Sequence, residues 1–450
     1  MKKYLPAICL ISVALHFAAA QAPADSRDAE DRRIFADGLF SREMYGYAAV
    51  EYARLIRDFP DSSELDRSYF RLGEALRLTE KKTEAATAFY RASQIGGKYR
   101  LRALFKRAAL FLEIESAESA AELFAELLKE KLPKDIHEYS LYYYGEALTK
   151  IEDHSKAATQ LERLLSMFPE SEMAPYAKLS LGRIYALPGE VNDFSSSRKY
   201  LKDVATAPPT SRIGAEALFL LARAEFTAKN YKEAANHFAD LEKKYPDDMR
   251  LEESRLQAAW AYSNAGLFDA AAKSCVAALE SEKAAEDMTS NSRAEFMYIL
   301  AGANFQMMNY EEASKWYISS REVAPYGPLA GASLYQAALS AFRIERYDEA
   351  MGTLEPILSD ASFRERSLWL MAEAAVGKKD SNIAIQYYRL LVAEYPDGAY
   401  TTDALYRLGH QLVLAEAPVE ASGYFLHLAE KFPKSALAPK SIFASATALE

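Results

Sequence analysis

The sequence predicts an all-α protein, a right-handed superhelical solenoid built from repeated pairs of antiparallel helices. Strong helix formers such as Ala, Leu, Glu, Lys and Arg are abundant, whereas Gly and Pro contribute only 18 and 17 of the 450 residues. Small residues also recur in apolar runs about every 37 residues along the chain. A period of this length is typical of arrays in which each unit buries its apolar face against its neighbours.

The first twenty residues have the order of a secretory signal peptide. Two lysines near the start precede an apolar stretch over 5–17, and three alanines follow at 18–20. The apolar stretch is too short to span a membrane comfortably. We therefore expect residues 1–20 to be a signal peptide cleaved after Ala20, and residues 21–27 to be a mature N-terminal tail. The expected location is the periplasm, with peripheral association with the outer membrane left open.

Charge and cysteine content exclude several classes of protein. A net charge of −10 argues against nucleic acid as the main partner. Cys9 and Cys275 are the only cysteines, which excludes a disulfide scaffold. Cys9 follows Ile8, not the small residue that a lipid-attachment site needs. Cys275 is expected to be an inert core thiol. No membrane span is expected in the mature chain.

Two series of small residues define the repeat over residues 28–450. The first series, called here the markers, comprises Ala36, Gly73, Ala108, Gly145, Gly182, Ala222, Ala259, Ala301, Ala338, Ala372 and Gly409. An alanine follows twelve residues after every marker except Gly182, where residues 187–190 lengthen the turn. The spacing predicts an array of about eleven repeats plus a final unpaired helix.

Each unit has the pattern of two helices joined by a short turn. In the second unit, Tyr69, Leu72 and Leu76 share one helical face, and Ala85 and Phe89 share another after a break. We expect the marker of the first helix to face a small residue of the second helix, so that the paired helices approach closely.

These residues resemble the tetratricopeptide repeat family. The family pattern is nearly complete in Tyr69, Leu72, Gly73, Leu76, Ala85, Phe89 and Ala92, and segments such as Tyr231-Lys-Glu-Ala234 resemble its second-helix openings. The resemblance covers about residues 28–450. It implies a superhelix whose first helices line a concave groove for protein or peptide partners. The period is nearer 37 than the family's 34 residues, and Leu often replaces the late small residue.

Units that end as in Phe59-Pro60-Asp61-Ser62 are similar to those of bacterial envelope proteins. Examples are the lipoprotein subunit of the outer-membrane barrel-assembly machine and the periplasmic coordinator associated with the Tol-Pal system. The chain lacks the lipid-attachment cysteine of the first and the N-terminal coiled coil of the second. The resemblance implies a scaffold role in outer-membrane or envelope assembly.

Motifs for catalysis or metal binding are lacking in the sequence. The five histidines beyond the signal peptide form neither an HxxxH nor an HExxH pair, and no GxSxG or Gly-rich phosphate loop occurs. We therefore expect no enzyme activity, no cofactor and no metal.

The resemblance places one position of each first helix, three residues before the marker, toward the groove. From the second unit onward this position holds Phe70, Phe105, Tyr142, Leu179, Phe219, Leu256, Tyr298, Tyr335, Trp369 and Tyr406, called here the ladder. Eight of the ten are aromatic, against 12% of the whole chain. The rings either pack between neighbouring first helices or form a partly exposed surface for a polypeptide segment. The principal contact surface is expected between residues 295 and 415.

Besides an enzyme whose catalytic domain lies outside this chain, two functions remain open from the sequence. The first is a non-catalytic envelope scaffold that binds polypeptide partners through the groove. The alternative is an accessory superhelix that binds peptidoglycan or polysaccharide, because aromatic rings also stack on sugars.

At the final helix, Ile442, Phe443 and Ala446 lie on one face with no second helix to cover it. There we expect either self-association or a continuation of the array.

Overall fold

A computed structural model describes residues 26–206, 212–281 and 288–450, which contain 23 α-helices and no β-strand. The all-α class predicted from the sequence is therefore confirmed. The expected signal peptide and its cleavage site lie outside the described residues. Within the described part of the chain, no helix is both long and apolar enough to cross a membrane. The chain divides into two compact units, 1–192 and 193–450, and the boundary follows the lengthened turn after Gly182.

Unit 1 contains nine helices, each packed against the next. They are α1 (Ser26–Ser41), α2 (Tyr45–Asp58), α3 (Leu65–Leu78), α4 (Lys82–Ile95), α5 (Arg100–Glu113), α6 (Ala117–Leu127), α7 (Lys134–Lys150), α8 (His154–Met167) and α9 (Ala174–Tyr185). Odd-numbered helices are the first helices of the repeats.

Unit 2 contains fourteen helices in the same alternation. They are α10 (Phe194–Ala205), α11 (Arg212–Thr227), α12 (Tyr231–Lys244), α13 (Leu251–Asn264), α14 (Phe268–Glu280), α15 (Ser290–Gln306), α16 (Tyr310–Val323), α17 (Ala330–Arg343), α18 (Tyr347–Leu354), α19 (Ala361–Gly377), α20 (Ser381–Glu394), α21 (Thr401–Leu414), α22 (Pro418–Lys431) and α23 (Ala438–Leu449). A short 3-10 helix, Glu355–Ile357, continues α18.

A residue with left-handed backbone conformation closes the turn inside ten of the repeats. It lies seven positions after the marker: Glu43, Glu80, Glu115, Glu152, Lys229, Gly266, Met308, Glu345, Lys379 and Glu416, with φ between 56° and 73°. The amide of the following residue donates to a carbonyl five residues earlier, as from Lys81 to Leu76 at 2.9 Å. This is the Schellman ending of an α-helix, which turns the chain back toward an antiparallel partner.

The markers leave room for a large side chain of the second helix. Our expectation that each marker faces a small residue of the second helix is therefore wrong at Gly73 and Gly409. A Cβ atom built on Gly73 would lie 2.7 Å from the ring of Phe89, and one on Gly409 would lie 2.5 Å from the ring of Phe425. The bulky residue lies sixteen positions after the marker, on the second helix. The alanines of the second series are fully buried nearby. The missing Cβ thus allows a ring to fill the space between paired helices.

Candidate functional site

In unit 1 the ladder runs along α3, α5, α7 and α9. Phe70 and Leu179 are buried, whereas Phe105 and Tyr142 are half-buried. Phe70 contacts Tyr99, at the start of the next first helix, with ring centroids 5.1 Å apart. The ladder rings of this unit therefore face their neighbours on one side and are only in part accessible on the other.

In unit 2 the ladder is more accessible toward its C-terminal part. Phe219 is buried, and Leu256, Tyr298, Tyr335, Trp369 and Tyr406 are half-buried. No ladder side chain in either unit is fully exposed. The sequence left open whether the rings are packed or exposed, and the structure shows both. Each ring is packed along one edge, and most rings keep some access to solvent.

The packed edge of each ring meets the second helix of its own repeat. Six aromatic ladder residues contact a ring nineteen positions later, with centroids 5.2–6.0 Å apart: Phe70 with Phe89, Phe105 with Phe124, Phe219 with Phe238, Tyr298 with Tyr317, Trp369 with Tyr388, and Tyr406 with Phe425. Phe89 and Phe238 belong to the core. The inner rings therefore fix the positions of the outer ones.

A second set of aromatic residues, not predicted from the sequence, extends the ladder between repeats. Phe363 lies 6.5 Å from Tyr335, and Tyr400 stacks nearly parallel to Trp369 at 5.5 Å. Phe363 and Tyr400 begin the next first helices, six residues before the following ladder position. Arg250 occupies the same register and lies over Phe219 at 5.5 Å. The repeat spacing would have located this register.

Guanidinium groups accompany the rings over residues 335–407. Arg366 lies 4.2 Å from the centroid of Phe363 and 5.1 Å from that of Tyr335. One N–H group of this half-buried side chain donates to the carbonyl of Ser362 at 2.8 Å, and the guanidinium carries further donors. Rings with a cation held over them form a surface that offers both apolar contact and hydrogen-bond donors.

Polar contacts also connect adjacent first helices at one register. Four positions after the ladder residue, Glu74 pairs with Lys106 at 3.0 Å, and Glu373 accepts from Arg407 at 3.1 Å. Glu373 also accepts a hydrogen bond from the buried hydroxyl of Tyr388. Burial, helped by this carboxylate, raises the pKa of Tyr388 and keeps the hydroxyl a neutral donor. Arg407 in turn lies over Trp369 at 5.6 Å, so the pair holds ring and carboxylate together.

An apolar recess of about 620 Å³ opens between α21 and α23. Tyr406, Val413, Phe425 and Phe443 contribute apolar walls, and Lys440 and His410 contribute polar groups. The ring of His410 packs edge-on against Tyr406, with centroids 4.6 Å apart. Burial and the nearby Arg407 lower the pKa of His410, which favours its neutral form.

Other reactive groups do not gather into a site in the part of the chain that the structure describes. Cys275 is fully buried, and burial raises the pKa of its thiol to about 12, in agreement with an inert core residue. The described ranges contain no group of three or more His, Cys, Asp or Glu side chains placed to hold a metal ion.

Comparison with known proteins confirms the repeats. One tetratricopeptide repeat family model matches residues 189–248, and another matches residues 139–171 and 366–398. No curated protein sequence matches the chain.

Solved structures similar to this chain include other helical arrays. The Cut9–Hcn1 hetero-tetramer of the APC/C has 12% identity and a TM-score of 0.34, covering 94% of this chain and 96% of the other. A tetratricopeptide repeat protein from Parabacteroides merdae has 17% identity and a TM-score of 0.33, covering 69% and 99%. The C-terminal part of a repeat protein from Cytophaga hutchinsonii has 14% identity and a TM-score of 0.38, covering 75% and 99%.

Proposed function

We propose that this chain, which contains tetratricopeptide repeats, is a non-catalytic scaffold of the bacterial cell envelope. In this proposal it is exported to the periplasm and binds polypeptide partners along the ladder, in outer-membrane or envelope assembly. Export rests on the order of residues 1–20, and the assembly role rests on the resemblance to envelope repeat proteins. Protein interaction itself is the general role of such repeats.

The half-buried rings of the ladder between Tyr335 and Tyr406 carry the proposal. The inner edges of Trp369 and Tyr406 are fixed by core rings, so little side-chain entropy is lost when a partner covers their outer edges. Arg366 adds donors for the carbonyl and carboxylate oxygens of a polypeptide. Rigid aromatic groups beside arginine are the usual composition of binding hot spots.

The alternative partner is a glycan of peptidoglycan or of a polysaccharide. Sugar stacking requires an open aromatic face. Trp369 stacks on Tyr400 and has Arg407 over its ring, so contacts within the protein already cover part of its aromatic surface. This arrangement favours a polypeptide that contacts ring edges and guanidinium donors.

Capture of partners from an envelope extract distinguishes the two functions. The immobilised chain is expected to retain proteins that Trp369→Ala loses, whereas Tyr326→Ala retains them because Tyr326 is 99% exposed and lies outside the ladder. Retention of glycan fragments in place of proteins would establish the alternative. Capture of the same proteins by both variants would contradict binding at the ladder.

A further inference from the structure

The recess between α21 and α23 lies where the preceding repeat carries a large side chain. In the preceding repeat, Arg407 extends from α21 to Glu373 on α19 and lies over Trp369. Thirty-seven residues after Arg407 the chain has Ala444, and thirty-seven after Glu373 it has His410. Ala444 cannot fill the space that the arginine fills one repeat earlier. The resulting cavity of about 620 Å³ is within the usual range of ligand pockets, roughly 300–1,000 Å³.

The recess continues the ladder. Phe443 follows Tyr406 by thirty-seven residues and so occupies the next ladder position, and both rings line the cavity. Phe443 is 74% exposed and Val413 is 41% exposed. A segment that lies along the ladder from Tyr335 to Tyr406 therefore reaches an apolar opening at its end.

The charge of the recess is positive. Lys440 lines it and has no carboxylate partner among the residues that the structure describes, unlike Arg407 and Lys106 in the earlier repeats. Burial and Arg407 lower the pKa of His410 and favour its neutral form, so Lys440 is the main cation of the recess. A ligand with a carboxylate beside its apolar group would complement this single cation.

We propose that the recess binds one large apolar side chain, aromatic or long aliphatic, of a polypeptide that carries Asp or Glu close by in its sequence. The apolar side chain replaces the missing arginine between α21 and α23, and the carboxylate pairs with Lys440. This inference rests on the proposed function, since it assigns the end of the polypeptide-binding ladder. It names the class of partner as an acidic segment with a bulky apolar residue.

The test uses a random peptide library displayed on phage and selected against the full chain. Enriched peptides are expected to combine Phe, Trp, Leu or Met with a neighbouring acidic residue. In titrations with a synthetic enriched peptide, Ala444→Arg is expected to weaken binding by about tenfold or more, because it restores the arginine that fills the preceding repeat. Ala446→Arg is the matched control, since it adds the same charge to an exposed position of the same helix.

Two further variants keep the test decisive. Thr447→Arg blocks the rim of the recess from an exposed position, and so covers the case in which Ala444→Arg does not fold. Lys440→Glu is expected to weaken binding of the acidic peptide. The same variant is expected to bind a peptide in which Lys replaces the acidic residue. A peptide affinity that does not respond to this exchange would overturn the assignment of the carboxylate.

The other outcomes separate this inference from the proposed function. If Trp369→Ala abolishes peptide binding and Ala444→Arg leaves it unchanged, the recess assignment is overturned and the ladder function remains intact. No enriched peptide at all would overturn both. If the library yields no enriched peptide, but the chain binds decanoate and only Ala444→Arg abolishes that binding, the recess is a site for an acyl chain. A dimer in sedimentation that Ala444→Arg dissociates would assign it to a second copy of the chain.

Discussion

Replacing Gly409 by alanine tests the packing that positions the ladder. The added Cβ would lie 2.5, 2.6 and 2.8 Å from three atoms of the Phe425 ring. Phe425 is almost fully buried and is packed against the rings of Tyr406 and His410, with centroids 5.8 and 5.3 Å apart. Movement of the Phe425 ring is therefore coupled to the positions of Tyr406 and His410.

The expected magnitude follows from two opposing terms. Overpacking of this kind costs about 1–3 kcal/mol. Alanine in a helix is favoured over glycine by about 0.5–1 kcal/mol, which offsets part of that cost. We therefore expect Gly409→Ala to lower the free energy of unfolding by about 0–2.5 kcal/mol.

Gly423→Ala in the same repeat is the matched control. Gly423 lies within α22, and a Cβ there would meet no atom within 4 Å. This variant should gain only the helix term and stabilise the repeat by about 0.5–1 kcal/mol. Native-state hydrogen exchange of α21 and α22 is the suitable assay, because long repeat arrays need not unfold in one step. Equal stabilisation by both substitutions would refute the contact between Gly409 and Phe425.

Three other predictions concern processing, the turns and the buried thiol. N-terminal sequencing of the exported protein should begin at Gln21, and an intact N-terminal Met1 would contradict cleavage. Because φ is 60° at Glu345, Glu345→Gly should stabilise its repeat by about 1 kcal/mol, whereas Gly266→Ala at the same register should destabilise its repeat by a similar amount. Hydrogen exchange measures both changes in stability. Two changes of the same sign would contradict a turn conformation shared by the two positions. The thiol of Cys275 has its pKa raised by burial, so it should react with a disulfide reagent at mildly alkaline pH only after urea is added. Rapid labelling of the native chain would show the thiol to be accessible.

The sequence predicted the helical class well because the repeat constrains it at many positions at once. Helix formers, small markers and turn positions all recur with one period, and each recurrence supports the same register. The partner of the marker was predicted wrongly at Gly73 and Gly409. A glycine signals that space is needed, but the sequence alone does not say whether a helix backbone or a ring such as Phe89 takes that space.

The accessibility of the ladder could not be derived from the sequence. An aromatic residue at a fixed helical position fits a core and a binding surface equally well. Phe70 is buried beside Tyr99, whereas Trp369 stays half-buried although Tyr400 occupies the same register, so the exposure of each ring depends on the packing of its own repeat. The recess was likewise not predicted, because only the packing of α21 against α23 shows that the space beside Ala444 is open.

The effects of Trp369→Ala on partner affinity and on stability together test whether the ladder is a binding surface. If Trp369 belongs to a binding surface, the substitution should cost about 1–3 kcal/mol in affinity for a captured partner. It should lower the stability of its repeat by less than the roughly 3–5 kcal/mol expected for emptying a buried aromatic site. Phe238→Ala, in the core, provides the reference for that larger loss. The binding-surface interpretation would be contradicted if Trp369→Ala lost as much stability as Phe238→Ala while its folded fraction still bound the partner. Trp369 would then be a core residue.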